Sequence, residues 1–238
     1  MIEKEQELLA RVLDLFAQKF DRKAVLRGGM VLRILGSPRL TNDLDYVFVP
    51  YKSKKEIVAE ILACLRLIDG ADIKHSLNSK CLRVVLTVEG TTIQIETKVA
   101  MDVATSTAST QLFSSQFNLP PRIIHVMNTD VALANKMAAW NERRLIRDIY
   151  DIWFLLQMHA KPDRATLEAR LRNPSYSRLV RAQAVFRGKT CEEFYEFLRG
   201  HVVNLSDEQI AGELSDYLPP AQTSGLGLLF RAALARLI

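Results

Sequence analysis

Two aspartates at alternate positions, Asp43 and Asp45, lie in the segment DLDYVFV, interleaved with Leu44, Tyr46 and Phe48 at the period of a β-strand. Alternate strand positions point the same way, so both carboxylates leave one face of the sheet together. Aspartate is a poor strand former, and two like charges on one face repel unless a cation lies between them. Hard divalent ions take oxygen ligands, and Mg²⁺ in particular is held by a few carboxylates together with substrate phosphates. Two readings of the pair therefore stand: ligands of a divalent cation, or edge-strand side chains that face water.

The surroundings bear on that choice. Upstream, Gly28 and Gly29 precede a dense apolar run, Met30, Val31, Leu32, Ile34 and Leu35. Glycines let backbone amides approach an anion closely, and the helix that follows turns its N-terminus toward it. A tight turn explains two glycines equally well. A third carboxylate is available in the segment IQIET, where Ile93 and Ile95 take one side and Gln94 and Glu96 the other. Glu96 reaches the same face as Asp43 and Asp45 if its strand is adjacent, and is otherwise a solvated strand glutamate. Together these residues describe a phosphate cradle beside a metal.

The elements that must hold them can be read from periodicity. Residues 3–20 place Leu8, Leu9, Val12, Leu13, Leu15 and Phe16 on one broad helical face, and the apolar run after Gly29 reads as a helix ended by Gly36. Residues 54–66 form an amphipathic helix; CLRVVLTV and TTIQIETKVAM form a hairpin turning at Glu89 and Gly90. The resulting order, helix, helix, strand, helix, strand, strand, suits a sheet with helices packed on it. Pro120 and Pro121 mark a boundary, beyond which the pattern is helical to the end. The expected organisation is an α+β core over residues 1–120 and an α-helical domain over 121–238.

Composition excludes several classes. No segment is apolar enough to cross a bilayer, and the first residues alternate charge with apolar positions, unlike a secretory signal. Cys64, Cys81 and Cys191 are scattered and lack metal-ligand spacing, so the chain reads as a reduced, cytoplasmic protein. A formal net charge of +5 over 238 residues favours polyanionic partners without deciding the fold.

Residues G28-G29-M-V-L followed by R39-L-T41-N-D43-L-D45 resemble the signature of the DNA polymerase beta-like nucleotidyltransferase superfamily. Within it, K136-M-A-A-W-N-E-R143-R-L-I-R147-D148-I-Y-D151 resembles the lysine, arginine and RDxYD block of the AbiEii/AbiGii toxins. The matched blocks lie between residues 25 and 156. The resemblance implies a minimal nucleotidyltransferase core, with a mixed sheet and flanking helices, followed by a helical domain that completes the active-site cleft. It implies transfer of a nucleoside monophosphate from a nucleoside triphosphate, two Mg²⁺ ions, and an acceptor that is the 3′ end of tRNA, another RNA or a protein. It also implies a toxin of a type IV toxin-antitoxin or phage-exclusion system, with a cognate antitoxin. Asp43, Asp45 and Glu96 would then hold metal, and pyrophosphate would leave toward Gly28, Gly29 and Lys136. Asp148 would position a base, a ribose hydroxyl or Lys136, and Arg143, Arg144 and Arg147 would receive phosphates of the nucleotide or of an RNA acceptor unless they salt-bridge Asp148 and Asp151. The superfamily usually has serine after the glycine; here Met30 follows Gly29, and Thr41 offers a hydroxyl in its place.

On their own terms, residues 130–142 read as a helix capped by Thr129 or Asp130, with Leu133, Met137 and Trp140 in the core. Asp148 and Asp151 share one polar face of the next segment. Trp153 and Phe154 belong to the core, and no histidine is assigned a catalytic part. The basic stretch with Arg164, Arg170, Arg172, Arg178, Arg181 and Arg187 is a solvated helical surface, or the place where an RNA acceptor binds. The C-terminal LGLLFRAALARLI is an amphipathic helix that packs on the domain or, as the second reading, forms a partner interface. Two rival functions share the acidic strand: a small-molecule nucleotidyltransferase of the antibiotic-modifying kind, and a non-catalytic domain that binds nucleic acid or a protein partner.

Overall fold

A computed structural model describes residues 2–174, Phe186 and residues 190–237. Of the basic stretch, Arg178, Arg181 and Arg187 lie outside the described residues. The chain divides into two compact units, Met1–Asn128 and Thr129–Ile238.

The first unit is built on a mixed seven-stranded sheet of order β3-β4-β5-β2-β1-β7-β6. Its strands are β1 (Ala24–Arg27), β2 (Asp43–Phe48), β3 (Asp72–Leu77), β4 (Leu82–Val88), β5 (Thr91–Val99), β6 (Thr105–Ser109) and β7 (Ile123–Met127). The helices of this unit are α1 (Ile2–Phe20), α2 (Gly29–Ile34), α3 (Val58–Leu65) and α4 (Gln111–Ser114). β2 runs parallel to β5 and antiparallel to β1, and β1 runs parallel to β7.

Alternation in β2 sorts its side chains: Leu44, Tyr46 and Phe48 are buried, while Asp43 and Asp45 are half-buried. Helix α1 covers the apolar side, where Phe16, Phe20, Tyr46 and Phe48 form a ring cluster with centroids 4.9–6.1 Å apart. Offset and edge-on contacts of this kind are favoured by the ring quadrupoles. The β4–β5 hairpin turns at Glu89 and Gly90, whose φ values of +48° and +78° give two consecutive left-handed residues, the geometry of a type I′ turn. Gly36, with φ +98°, ends the α2 segment as its position predicts.

Two expectations are corrected. Three strands are expected and the described residues form seven, since β1, β3, β6 and β7 carry no period legible in the sequence. Strand β7 joins the sheet beside β1, so the first unit continues past Pro120 and Pro121 to Asn128. The helix expected over 54–66 is α3, preceded by a short 3₁₀ turn whose Ser53 and Glu56 make a reciprocal capping box.

The second unit contains α5 (Thr129–Arg143), α6 (Ile146–Gln157), α7 (Arg164–Arg172), α8 (Cys191–Val203), α9 (Asp207–Leu214) and α10 (Leu226–Leu234). Leu133, Met137 and Trp140 of α5 are fully buried, as their spacing predicts, and so are Ile149, Ile152 and Leu155 of α6 and Phe194 and Leu198 of α8. Trp140 meets Phe194, Phe197 and His201 at 5.2–6.1 Å between centroids, and Trp153 packs on Tyr150 and Phe230. Capping boxes at Thr190 and Ser206 start α8 and α9. The start of α6 is capped from a distance: Glu213 Oε1 accepts hydrogen bonds from the Ile146 and Arg147 amides at 2.5 and 3.4 Å.

Candidate active site

Strand register gathers the acidic residues of the first unit. In the parallel β2–β5 pair Asp45 stands directly opposite Glu96, and Asp43 opposite Gln94. Arg27 is opposite Asp45 on β1, and Arg83 is opposite Glu96 on β4. Directly paired residues share a sheet face, so Arg27, Asp45, Glu96 and Arg83 form one row across four adjacent strands. The charges run positive, negative, negative, positive, with Asp43 one step along β2. The condition set by the sequence, that the Glu96 strand be adjacent, is met.

The glycines stand against this row. At Gly28 φ is +76° and ψ −154°, a region reserved for glycine, and a Cβ there would lie 2.2 Å from Asp45 Oδ2 and 3.0 Å from its Cγ. Backbone and carboxylate are thus in closer approach than any side chain permits. At Gly29 a Cβ would meet the Arg39 Nη2 at 2.8 Å and the Thr41 hydroxyl at 3.1 Å. Arg39 is 5% exposed, with Nη1 donating to the Leu40 carbonyl at 3.1 Å. Thr41 Oγ1 accepts from the Asp43 amide at 3.4 Å, and its carbonyl accepts from Gln6 of α1 at 2.7 Å. The hydroxyl expected to face phosphate therefore also steadies the backbone that leads into the aspartates.

Glu96 is engaged. Its Oε1 accepts from Arg83 Nη2 at 2.7 Å and Nε at 3.1 Å, and from Gln94 Nε2 at 3.2 Å. The Glu96 hydrogen bond and charge hold the Arg83 pKa above its usual value, with a smaller contribution from Asp43. Among the described residues, no three His, Cys, Asp or Glu side chains form a ready-made metal cage. The donor set nonetheless fits a hard cation: two half-buried carboxylates on one face, beside a backbone that only glycine allows, match the pattern of Mg²⁺ held by carboxylates and substrate phosphates. Neither Arg39 nor Arg83 is marked out by the sequence alone. Arg39 sits within the matched motif yet carries no periodic signal, and Arg83 becomes visible only through its register partner.

In the second unit, Lys136 of α5 pairs with Asp151 of α6 at 2.5 Å, and Arg143 pairs with both oxygens of Asp148 at 2.6 Å. Both aspartates are fully buried, and the polar face they share is paired within its own unit. Each carboxylate is matched by a cation from α5, which lowers the cost of burying it. Arg147 donates to the Tyr217 hydroxyl at 2.7 Å and lies 5.4 Å from the centroid of that ring. Arg144 lies over Trp140 and Phe197 at 4.4 and 4.8 Å, and burial pulls its pKa down to about 10. All three arginines of this block thus have partners within their own unit.

The family model described as nucleotidyl transferase AbiEii toxin, type IV TA system, matches residues 7–224. The chain belongs to this AbiEii nucleotidyltransferase toxin family. As an AbiEii-family protein it is a nucleotidyltransferase, and the family implies a nucleoside triphosphate substrate, a divalent metal and an antitoxin partner. Two solved structures share the AbiEii chain's fold. MenT4, the nucleotidyltransferase toxin Rv2826c from Mycobacterium tuberculosis H37Rv, aligns with a TM-score of 0.57 at 18% identity, covering 100% of this chain and 85% of its own. JHP933 from Helicobacter pylori aligns with a TM-score of 0.57 at 13% identity, covering 97% of this chain and 90% of its own. No curated protein matches the sequence. Among the described residues, no helix is long and apolar enough to cross a membrane.

Proposed function

We propose that this AbiEii-family enzyme transfers a nucleoside monophosphate from a nucleoside triphosphate to an RNA acceptor, the 3′ end of tRNA in the first instance, with Mg²⁺ as the metal. An acceptor hydroxyl attacks the α-phosphorus and gives up its proton to solvent, a new P–O bond forms, the bond to the α,β-bridging oxygen breaks, and pyrophosphate departs. The observation that carries the reading is the pairing of Asp45 with Glu96 at one register level, beside Gly28, where an added Cβ would stand 2.2 Å from Asp45 Oδ2. Asp43 and Asp45 would hold Mg²⁺ together with the substrate phosphates, and Glu96 would add the third carboxylate. When bound, the metal would neutralise charge on the reacting phosphoryl group and align the attacking and leaving oxygens. Gly28 and Gly29 would keep the triphosphate close to the backbone, and Thr41 and Arg39 would fix the loop that presents it. A nucleoside triphosphate and tRNA as substrates place the reaction in the cytoplasm.

For the helical unit we assign Lys136 to the triphosphate, as a compact ammonium suited to phosphate, with Asp151 holding it in place. Asp148, bound through both oxygens to Arg143, anchors the α5–α6 junction. Asp148→Asn is therefore expected to cost about 1–3 kcal/mol of stability, by weakening a charged hydrogen-bond pair. Label transfer per folded molecule should stay within about twofold of the parent. Chemical denaturation and a transfer assay on the same preparation check both halves.

The function itself is tested by incubating the protein with each α-³²P-labelled nucleoside triphosphate, Mg²⁺ and total cellular RNA, and resolving RNA beside protein. Label on RNA of tRNA size, lost on chelation, supports the reading. Label on protein alone moves the acceptor to that class. Label on neither overturns the transfer to a macromolecule.

A further inference from the structure

The sheet face that bears Asp45 and Glu96 continues beyond them to an open edge. Ser76 of β3 stands directly opposite Arg83, and Lys74 lies two residues before it on the same side. Strand β3 ends the sheet, and Lys74, Ser76 and Arg83 are all exposed. Arg83 spends one edge of its guanidinium on Glu96, where Nε and Nη2 donate to Oε1. Among the described residues its Nη1 has no hydrogen-bond partner, and neither has the Ser76 hydroxyl. Lys74 Nζ is 3.9 Å from Asp72, and with both side chains largely exposed that pair contributes little. Three donors suited to phosphate thus follow the carboxylates toward the edge, and none of them has to leave Glu96 to serve. The residues of this face on β3 and β4 are Asp72, Lys74, Ser76, Arg83, Val85 and Thr87. No aromatic ring is among them, so they offer contact to a sugar-phosphate chain and not a platform for bases.

We propose that the β3–β4 end of this face carries the phosphate backbone of an RNA acceptor into the site, through Arg83 Nη1, the Ser76 hydroxyl and the Lys74 ammonium. The proposal rests on the nucleotidyl-transfer reading. Gly28 and Gly29 follow β1, which flanks Asp45 on the side away from β5. Attacking and leaving oxygens lie in line on opposite sides of the phosphorus, so a triphosphate on the glycine side leaves the β5 side to the acceptor. Asp45, Glu96, Arg83 and Ser76 stand on four adjacent strands. At about 4.8 Å per strand the row is about 14 Å long, the length of roughly four stacked nucleotides at about 3.4 Å each.

The test is the salt dependence of RNA binding by the full chain, followed by the anisotropy of a fluorescein-labelled single-stranded RNA oligonucleotide. Each phosphate contact on a single strand contributes about 0.7 to the slope of log K against log salt. Lys74→Gln should flatten the slope by about 0.7 and Lys74→Gln with Arg83→Gln by about 1.4. Lys4→Gln with Arg11→Gln removes the same charge from exposed positions on α1, and should leave the slope unchanged. In the transfer assay with total cellular RNA, Lys74→Gln should raise KM for RNA roughly threefold, as loss of one phosphate contact does, and leave KM for the nucleoside triphosphate as in the parent. A charged edge strand also resists pairing with another sheet, but that role moves neither the slope nor KM. An unchanged slope in the double variant, or an equal loss in the α1 control, overturns this surface while a parent that labels RNA keeps its transfer activity. A rise in KM for the triphosphate alone gives the row to the nucleotide and also overturns it. A parent that binds the oligonucleotide yet labels no RNA with any of the four triphosphates overturns the transfer reading and this proposal with it.

Discussion

Asp45→Asn is expected to lower label transfer by on the order of 10³-fold, more than the roughly 10–100-fold lost when a group that merely orients a metal ligand is removed. Asp45 is central to the charged row, opposite Glu96 on one side and Arg27 on the other. An amide keeps the volume and the half-buried setting but presents a neutral oxygen, which cannot offset a divalent charge. Because the side chain lies on a partly solvated face, the variant should unfold within about 1 kcal/mol of the parent. Single-turnover transfer measured at saturating nucleotide, beside a denaturant titration, separates the two effects. A variant that folds and transfers at more than a tenth of the parental rate would remove Asp45 from the metal site.

Gly28→Ala should damage both stability and transfer. The left-handed backbone at φ +76° and ψ −154° costs an alanine on the order of 1–3 kcal/mol before any contact is counted. The added Cβ would then stand 2.2 Å from Asp45 Oδ2, so either the loop or the carboxylate must move. A displacement of about 1 Å at a reacting centre is enough for roughly 10²-fold in rate. The fall should appear in the rate at saturating nucleotide as well as in apparent affinity. Gly90→Ala is the control: its φ is also positive, at +78°, but no atom lies within 4 Å of the added carbon. It should lose about 1 kcal/mol of stability and keep its transfer rate. Equal losses of transfer in the two variants would show that steric approach to Asp45 is not the cause.

The parts of this chain that were legible are those with strong periodicity or chemistry at fixed spacing. Asp43 and Asp45 show their common face through a period of two, and Glu96 shows its own, so only strand adjacency was left to the fold. The hairpin was readable at Glu89 and Gly90, and the core of α5 at Leu133, Met137 and Trp140. The four missed strands lacked such signals. Four residues, AVLR, make β1, too few to establish a period, and TSTAS in β6 has a single apolar residue because it ends the sheet at an edge. The other edge strand, DIKHSL, is almost wholly exposed and so shows no alternation. Strand β7 follows two prolines that look like a domain boundary but precede the last sheet strand. For Asp148 and Asp151 the sequence leaves pairing with nearby cations as one of two readings: carboxylates buried with cationic partners have the same spacing as carboxylates in water, and only the position of α5 distinguishes them.

The cap on α6 ties sequence-distant parts of the chain into one dependency. Glu213 receives the Ile146 amide across 67 positions of sequence, so the opening turn of the segment bearing Asp148 and Asp151 borrows its terminator from near the carboxyl end. Shortening the protein upstream of residue 213 would strand two amide hydrogens and loosen a turn far from the cut. The first turn of the RDxYD block is thereby tied to α9.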